Sequence, residues 1–353
     1  MKRNISIFVS TMGVGGAEKQ AAILARLLSS HFKVHFVVLY GEVEPSSSVL
    51  EILNIPSIDL HLLKGSWLER MKYYWRLLKT NHVETSFNYL TMCDFAGAIV
   101  ERFAGVKAIY NGIRNTKLEL YKTVLEWVTH SFIATGTIIN CYSGKEDFEK
   151  RFFNKRKMIV IPNCFLDIHE PFRRNDKSLK KIITVGRFHP QKDLRTAIEA
   201  ISLLKQNRND FKFIIVGYGL LEQQIRDWVK QYRIDDLTEI HINPPFIPKL
   251  LEESDVYLST SLFEGTSNSI MEALNYSLPI VATNVGDNSY LVHEGSSGFL
   301  HPVGDASGMS LSLMNLLSDY EMRINFGVNG NIILKGGYSE KSFVSQYLQL
   351  LGS

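Results

Sequence analysis

The stretch that decides the fold reads Asp255-Val-Tyr-Leu-Ser-Thr-Ser-Leu-Phe-Glu-Gly-Thr-Ser-Asn-Ser-Ile-Met-Glu-Ala-Leu-Asn275. Residues 255–260 alternate apolar and small polar side chains, which is typical of a strand. Residues 266–269 are all of types whose side chains cap the start of a helix. The sequence therefore predicts a strand, then a loop that carries Glu264, and then a helix that carries Glu272 one to two turns from its start.

The two glutamates lie eight positions apart. In a fully helical segment that offset spans about 12 Å, whereas the acid and base of glycosidases lie about 5–10 Å apart. Glu264 and Glu272 suit instead the two hydroxyl-bearing ends of one long ligand, with free N–H groups of the helix start facing an anion between them. A nucleotide-diphosphate sugar has this layout. The spacing alone leaves open a capped core helix with two surface glutamates.

The residues after this segment make it resemble a known family. The order Glu264-x7-Glu272, followed by Ala273-Leu-Asn-Tyr-Ser-Leu-Pro-Ile-Val-Ala-Thr-Asn-Val-Gly286, resembles the signature of the retaining GT-B glycosyltransferases of family 4. The resemblance covers essentially the whole chain and is most specific from Lys181 to about Leu300. It identifies the chain as a member of this family, of the type that builds bacterial surface polysaccharides.

The resemblance implies transfer of a sugar from a nucleotide-diphosphate sugar, most often a UDP-sugar, to a glycan or a lipid-linked glycan acceptor. It implies retention of configuration, no required metal and no permanently bound cofactor. In such enzymes the first glutamate contacts the donor sugar and the second binds the ribose, which correspond here to Glu264 and Glu272. The backbone amides that would hold the phosphates belong to Gly265, Thr266, Ser267, Asn268 and Ser269.

Two cations follow another predicted strand. Arg187 and Lys192 come just beyond residues 181–186 and before a helix. Breaking a sugar–diphosphate bond builds negative charge on the leaving oxygens, which fixed cations stabilise without a metal. Two solvated surface cations are the alternative for this pair alone. By resemblance, Arg187 and Lys192 hold the diphosphate.

Two loops of the first half are further candidates. Gly15 and Gly16 follow the first predicted strand, where glycines let the backbone approach a ligand. By resemblance this loop approaches the donor phosphates and the acceptor; a structural tight turn and a nicotinamide site are the alternatives. Arg114 stands near the point where many family members carry a histidine, so we expect it to orient the donor sugar or an acidic acceptor group, or to lie on a surface loop.

Short apolar runs alternate with longer amphipathic segments along the chain, which is the pattern of βαβ units and parallel sheets. Strands are predicted near residues 4–10, 33–40, 57–62, 82–87, 107–111, 131–135, 157–161, 181–186, 212–217, 238–242, 255–260, 279–283 and 298–301. The polar, aperiodic stretch 167–178 contains Pro171 and is the predicted linker.

We therefore expect an α/β protein with two Rossmann-like, doubly wound domains that face a cleft at the carboxyl ends of their strands. The acceptor-binding domain is predicted at 1–166 and the nucleotide-sugar-binding domain at 167–338. The segment 339–353 is amphipathic at helical spacing. By resemblance, this C-terminal helix crosses back to pack on the N-terminal domain.

The net charge of +3 conceals an asymmetry between the halves. Residues 1–165 hold 21 Lys and Arg against 14 Asp and Glu, and the predicted helix at 66–80 interleaves aromatic and basic residues. This composition suits the headgroups of an anionic membrane, although a helix packed on the sheet is the alternative. No recognition motif for nucleic acid accompanies the charge.

The sequence shows no signal peptide and no apolar run of membrane-spanning length. We therefore expect a cytoplasmic protein, peripheral on the inner face of the cell membrane. The three cysteines are widely spaced and predict no metal site. The rival functions are a nucleotide-sugar epimerase of the same fold and a catalytically inactive binding subunit. The first needs acid and base residues that are not evident, and intact Glu264, Glu272, Arg187 and Lys192 argue against the second.

Overall fold

The structure, a computed structural model, describes residues 2–13, 16–114 and 118–352, apart from the side chain of Ser48. The chain divides into two compact units. Unit 1 comprises Met1–Cys164 and Glu340–Ser353, and unit 2 comprises Phe165–Ser339.

Within the described part of unit 1, seven parallel strands form one sheet in the order β3-β2-β1-β4-β5-β6-β7. The strands are β1 Asn4–Val9, β2 Lys33–Val38, β3 Ile58–Leu62, β4 Thr85–Tyr89, β5 Ala108–Ile113, β6 Gly136–Ile139 and β7 Met158–Val160. The helices between them are α1 Gly16–Leu28, α2 Ser47–Leu53, α3 Trp67–Thr80, α4 Ala98–Ala104, α5 Leu120–Phe132 and α6 Tyr142–Lys150. The central strands are buried along nearly their whole length, as expected where helices cover both faces of a parallel sheet.

In the described part of unit 2, six parallel strands form a sheet in the order β10-β9-β8-β11-β12-β13. These strands are β8 Lys180–Val185, β9 Phe211–Gly217, β10 Thr238–Ile242, β11 Val256–Ser259, β12 Ile280–Thr283 and β13 Gly298–His301. The helices are α7 Leu194–Lys205, α8 Glu222–Gln231, α9 Ile247–Glu253, α10 Asn268–Asn275, α11 Asn288–Leu291, α12 Ala306–Ser318 and α13 Tyr320–Tyr338.

Both sheets follow the doubly wound order, in which the third, second and first strands are followed by the fourth, fifth and sixth. The chain therefore reverses direction across each sheet between the first and fourth strands, β1 and β4 in unit 1 and β8 and β11 in unit 2. Ligands of such sheets bind at the carboxyl ends of the strands near this reversal. The prediction of two Rossmann-like parallel-sheet domains is confirmed.

The last helix, α14 Glu340–Leu350, belongs to unit 1, which confirms the predicted return of the C-terminus. Phe343 and Tyr347 lie one turn apart and are both fully buried. The ring of Tyr347 packs edge-on against Phe87 of β4. At the start of the helix, Glu340 forms an ion pair with Arg26 of α1.

One predicted strand is wrong. The segment 131–135 contains the end of α5, which continues to Phe132, and the strand of this region is β6, which begins at Gly136. A short apolar run fits the last turn of a buried helix and a strand equally well, so periodicity does not separate them. Pairing with β5 determines where the strand begins, because Tyr110 of β5 lies opposite Gly136.

Among the described residues, no helix is both long enough and apolar enough to span a lipid bilayer.

Candidate functional site

The two glutamates lie where the sequence predicts them within unit 2. Glu264 is in the loop between β11 and α10, and Glu272 is in the second turn of α10. Because β8 and β11 are parallel neighbours, the loops that follow them lie at the same edge of the sheet. This edge brings Lys192, which follows β8, to Glu264.

Lys192 and Glu264 form a partly buried ion pair. The Lys192 Nζ is 2.5 Å from Oε1 of Glu264, and the two side chains are 18% and 10% exposed. The hydroxyl of Ser261 donates to the same Oε1 over 2.7 Å. The Oε2 of Glu264 has no hydrogen-bond partner among the described residues, so one carboxylate oxygen is positioned and the other keeps its capacity to accept.

A short 3-10 turn, Pro190–Lys192, holds the lysine in place. The backbone oxygen of Lys192 accepts a hydrogen bond from Thr260 Oγ1 over 2.9 Å. Gln191 makes two hydrogen bonds to the loop that carries Glu264. Its backbone oxygen accepts from the Leu262 amide at 2.8 Å, and its side-chain Nε2 donates to the Phe263 backbone oxygen at 2.9 Å. The loops after β8 and β11 therefore form one hydrogen-bonded layer.

Arg187 differs from Lys192 in its environment. It lies just beyond the end of β8 and is exposed. Within the described ranges, no carboxylate pairs with its guanidinium. The charge of Lys192 is partly neutralised by Glu264, whereas the exposed guanidinium of Arg187 keeps its capacity to bind an anion.

Gly286 determines how closely the next loop approaches. Its φ is +55°, and a Cβ there would lie 2.3 Å from the Glu264 oxygen and 2.8 Å from the Gly265 oxygen. The Asp287 amide donates to the Gly265 oxygen over 3.1 Å. The loop that carries Glu264 is therefore held against the turn at 286–287, which leaves no room for a side chain at Gly286.

The start of α10 is not capped as the sequence predicts. Ser267 is at the N-cap position, but its hydroxyl pairs with Ser269 Oγ at 3.3 Å and makes no hydrogen bond to the backbone of the first turn. Thr266 donates instead to Asp287 Oδ2 over 3.3 Å. The amides of the first turn, beginning at Asn268, thus lack a side-chain cap from Ser267, and amides in this state bind anions.

Tyr257 of β11 lies beneath this site. Its hydroxyl donates to the Val185 oxygen over 3.1 Å. Burial raises the pKa of Tyr257, a hydrogen bond with Ser269 partly offsets the rise, and the negative charges of Glu272 and Glu264 add to it. The buried phenol therefore stays neutral, and it interacts electrostatically with both carboxylates.

Sequence reasoning missed Ser261, Gln191 and Tyr257. Ser261 lies three positions before Glu264, so a local hydrogen bond between their side chains could have been predicted from the spacing. Gln191 contacts the loop of Glu264 from the segment that follows β8, and the Tyr257 hydroxyl bonds to Val185 of β8. No local pattern indicates such contacts between strands.

In unit 1, Gly16 begins α1 and is exposed, with open space where a Cβ would be. Gly15 lies outside the described residues. The roles predicted for this loop stay predictions.

Arg114 follows β5 and is held inside unit 1. Its guanidinium lies 4.4 Å from the ring centre of Tyr89 and donates to the Tyr347 hydroxyl over 3.2 Å. Burial lowers the pKa of Arg114, but Tyr89, Tyr347 and Asp94 raise it by more, so it stays above its usual value. Its Nε is buried without a partner among the described residues.

One buried carboxylate, Asp94, lies near Arg114, and a second, Glu126, interacts with Asp94. Asp94 is in a π-helical turn, Cys93–Gly97, and one of its oxygens accepts the Gly112 amide over 2.9 Å. Burial raises the pKa of Asp94 to about 6, and burial together with the charge of Asp94 raises the pKa of Glu126. Each of the two carboxylates also has one oxygen that is buried without a hydrogen-bond partner among the described residues, Oδ2 of Asp94 and Oε2 of Glu126.

Known proteins resemble this chain in sequence and in fold. The family model of the glycosyl transferases group 1 matches residues 167–332. The N-acetylgalactosamine-N,N'-diacetylbacillosaminyl-diphospho-undecaprenol 4-alpha-N-acetylgalactosaminyltransferase of Campylobacter jejuni is 23% identical, with 91% of this chain and 92% of that protein covered. The UDP-Gal:alpha-D-GlcNAc-diphosphoundecaprenol alpha-1,3-galactosyltransferase of Escherichia coli is 26% identical, with 74% of this chain and 75% of that protein covered.

The solved structure of Anabaena HepE in complex with UDP superimposes with a TM-score of 0.82 at 16% identity, with all of both chains covered. Two Rossmann-like units of this kind are the architecture of GT-B proteins. The chain therefore has the GT-B fold, and residues 167–332 of its unit 2 match the family model of the glycosyl transferases group 1.

Proposed function

We propose that this glycosyltransferase moves a sugar, with retention of configuration and without a required metal, from a UDP-sugar to a lipid-linked glycan or another glycan of the cell surface. The observation that carries the proposal is the Lys192–Glu264 pair beside the uncapped start of α10. It combines a cation, a positioned carboxylate and free amides at one sheet edge. An anionic leaving group flanked by hydroxyl groups needs these three elements.

Within unit 2 the proposed roles follow from the contacts. Glu264 orients the sugar hydroxyls through Oε2, because its Oε1 is occupied by Lys192 and Ser261. Arg187 and Lys192 bind the diphosphate, together with the backbone from Gly265 to Ser269. Glu272, in the second turn of α10, binds the ribose. Arg114 and the loop at Gly15 and Gly16 stay candidates for contacts with the donor and the acceptor.

The nucleotide and the acceptor are proposed from the relatives. HepE has been solved with UDP and with UDP-glucose. The Escherichia coli relative uses UDP-Gal, and both curated relatives act on sugars linked to a diphospho-undecaprenol. A UDP-sugar and a polyprenyl-diphosphate acceptor are therefore the first substrates to test.

The test is incubation of the full chain with a panel of UDP-, GDP- and other nucleotide sugars. We expect slow hydrolysis of one UDP-sugar, unchanged by added Mg²⁺ or Mn²⁺. Glu272→Gln is expected to weaken UDP binding by about 10–100-fold, the range of a lost hydrogen bond to a charged group. Glu264→Gln should chiefly lower turnover. Isothermal titration with UDP and assay of sugar release measure the two effects separately.

Glu239→Gln is the matched control, because this glutamate lies on the edge strand β10 away from the site. A product epimerised on the nucleotide would support the epimerase instead. Binding without turnover under every condition would support the inactive subunit. An unchanged Glu264→Gln enzyme would remove the role assigned to that residue.

We propose further that α3 brings the enzyme to the cytoplasmic face of the membrane. Only Tyr74, Leu77 and Leu78 of this helix are buried. Trp67, Leu68 and Trp75 are 40%, 79% and 41% exposed, so the rest of unit 1 leaves much of the apolar surface of the helix uncovered. Aromatic side chains of this kind anchor proteins at the headgroup layer.

A groove of about 690 Å³ lies along the same helix. It is lined by Lys64, Lys72 and Arg76, with one acidic residue, Glu69. Glu69 is committed to the capping box with Ser66. The groove therefore presents three cations, which suits anionic lipid headgroups or the diphosphate of a lipid-linked acceptor.

We expect the protein to float with vesicles of anionic phospholipid and not with neutral vesicles. Lys72→Glu/Arg76→Glu should lower the vesicle partition coefficient by roughly 100–1,000-fold, since each basic residue near the surface contributes about 1 kcal/mol and each substitution also reverses the charge. Lys230→Glu/Lys249→Glu in unit 2 makes the same change of net charge and should leave flotation nearly unchanged. Equal losses in both double variants, or binding that is absent at low salt, would contradict the membrane role of α3.

A further inference from the structure

Two adjacent strands of unit 1 bring three metal-binding side chains together. His35 on β2 lies opposite Asp59 on β3, and His61 is two residues further along β3 on the same face. The Nδ1 of His35 is 3.3 Å from Nε2 of His61 and 3.7 Å from Oδ2 of Asp59. All three donor atoms lie within 4.8 Å of one another.

The hydrogen bonds around the cluster direct lone pairs inward. The Nε2 of His35 is 3.3 Å from Oδ1 of Asn4, an oxygen that can only accept, so this nitrogen carries the hydrogen. The Nδ1 of a neutral His35 then presents a lone pair to His61 and Asp59. At neutral pH an ordinary imidazole is uncharged, so no second hydrogen is expected on the ring.

The outer groups fit a metal site as well. His61 Nδ1 is 3.3 Å from the hydroxyl of Tyr73 on α3, and Lys33 binds the other oxygen of Asp59 at 2.6 Å. Ligating histidines usually bond through their second nitrogen to a polar group in this way, and ligating carboxylates are themselves hydrogen-bonded. Lys33 occupies Oδ1 and leaves Oδ2 of Asp59 facing the histidines. The positive charge of Lys33 weakens the attraction of this site for a cation.

The two distances from His35 Nδ1 match the size of a zinc ion. Zinc bonds of about 2.0–2.1 Å in tetrahedral directions separate the ligand atoms by roughly 3.4 Å. The two observed separations from His35 Nδ1 lie on either side of this value. Two histidines and one carboxylate form a frequent set of three protein ligands, with the fourth position left to water.

We propose that His35, Asp59 and His61 bind a zinc ion that joins β2 and β3 to α3. His35 is 2% exposed, whereas the Asp59 side chain is 42% exposed, so the ion reaches the site from the Asp59 side. Because Tyr73 holds His61, the ion also stabilises the position of α3. The sequence contains no spacing typical of a zinc motif here, since the ligands come from two strands.

A hydrogen-bonded chain without metal is the competing arrangement. Tyr73 would donate to His61 Nδ1, and the Nε2–H of His61 would donate to His35. That chain satisfies both rings but leaves the inward oxygen of Asp59 facing no donor from the two histidines. A metal ion satisfies all three atoms.

The test uses the full chain after treatment with a chelator. We expect uptake of one equivalent of Zn²⁺ by isothermal titration and a tetrahedral absorption spectrum with Co²⁺. At a free zinc concentration of about 100 times the Kd, Tm should rise by roughly 5–10 °C. His61→Gln should lower zinc affinity at least 100-fold, and Asp59→Asn by about 10–100-fold.

His241→Gln is the matched control, because His241 also lies on an edge strand with an acidic neighbour, Glu239, at 3.5 Å but without a second histidine. This variant should bind zinc like the parent. No stoichiometric uptake by the parent, an unchanged affinity in His61→Gln, or an equal loss in His241→Gln would each overturn the proposal. Zinc binding is measured without any sugar donor, so failure here is distinct from failure of the proposed transfer reaction.

Discussion

Replacement of Lys192 by alanine is expected to lower sugar-transfer kcat/KM by about 10²–10³-fold, the range seen when one fixed stabiliser of transition-state charge is removed. Lys192 is the cation of the partly buried pair with Glu264. In the proposed role, Lys192 stabilises the charge of the departing diphosphate, and its loss removes that stabilisation. The loss also leaves the Glu264 carboxylate with only Ser261 as a partner at Oε1. The measurement is the initial rate of UDP release with the donor and acceptor found by the panel.

Lys205→Ala is the control for this substitution. Lys205 also pairs with a carboxylate at 2.5 Å, but its partner Asp236 is 60% exposed and lies elsewhere in unit 2. A solvent-exposed pair contributes about 0–1 kcal/mol, so Lys205→Ala should change neither rate nor stability appreciably. Lys192→Arg keeps the charge and should recover part of the activity. A Lys192→Ala enzyme within threefold of the parent would contradict the role of Lys192 in binding the diphosphate.

Replacement of Gly286 by alanine is expected to displace the loop that carries Glu264. The added Cβ would lie 2.3 Å from the Glu264 oxygen, a backbone atom that cannot rotate away. The positive φ costs about 1–2 kcal/mol for an L-residue, and forcing atoms into packed space costs about 1–3 kcal/mol more. We therefore expect unfolding of unit 2 at lower denaturant concentration, together with weaker UDP binding.

Gly295→Ala separates the two causes. Gly295 has a similar φ of +68°, but a Cβ there meets nothing within 4 Å. This control carries the backbone strain without the clash, so it should lose about 1–2 kcal/mol of unfolding free energy and keep UDP binding. Urea unfolding and UDP titration of both variants measure the difference. Equal stability and equal UDP affinity in the two variants would show that the approach of Gly286 to the loop does not position Glu264.

Local sequence predicts the central part of the site because β11, the loop and α10 are contiguous. Alternation over residues 255–260 and capping residue types over 266–269 placed Glu264 and Glu272 on the correct elements. The side-chain contacts at the helix start were not predictable in the same way. Ser267 has the expected position but pairs with Ser269, since side-chain partners depend on the packed surroundings of the turn.

Contacts between distant residues required the fold. Lys192 and Glu264 are 72 positions apart and meet because β8 and β11 are neighbours in a parallel sheet. The contacts of Gln191 with the glutamate loop have the same origin. The strand predicted at 131–135 failed for a related reason: a short apolar run is resolved only by the strand with which it pairs.

The sequence by itself determined the class of fold, the order of its elements and the identity of the charged residues, because periodicity and capping are local properties of the chain. Tertiary structure decided which of those residues act together. Strand order selected Lys192 as the partner of Glu264 and placed His35 beside Asp59 and His61. Packing of the last helix on unit 1 placed Tyr347 against Arg114. The physical reason is that strand pairing and helix packing join segments far apart in sequence, whose register no local pattern records.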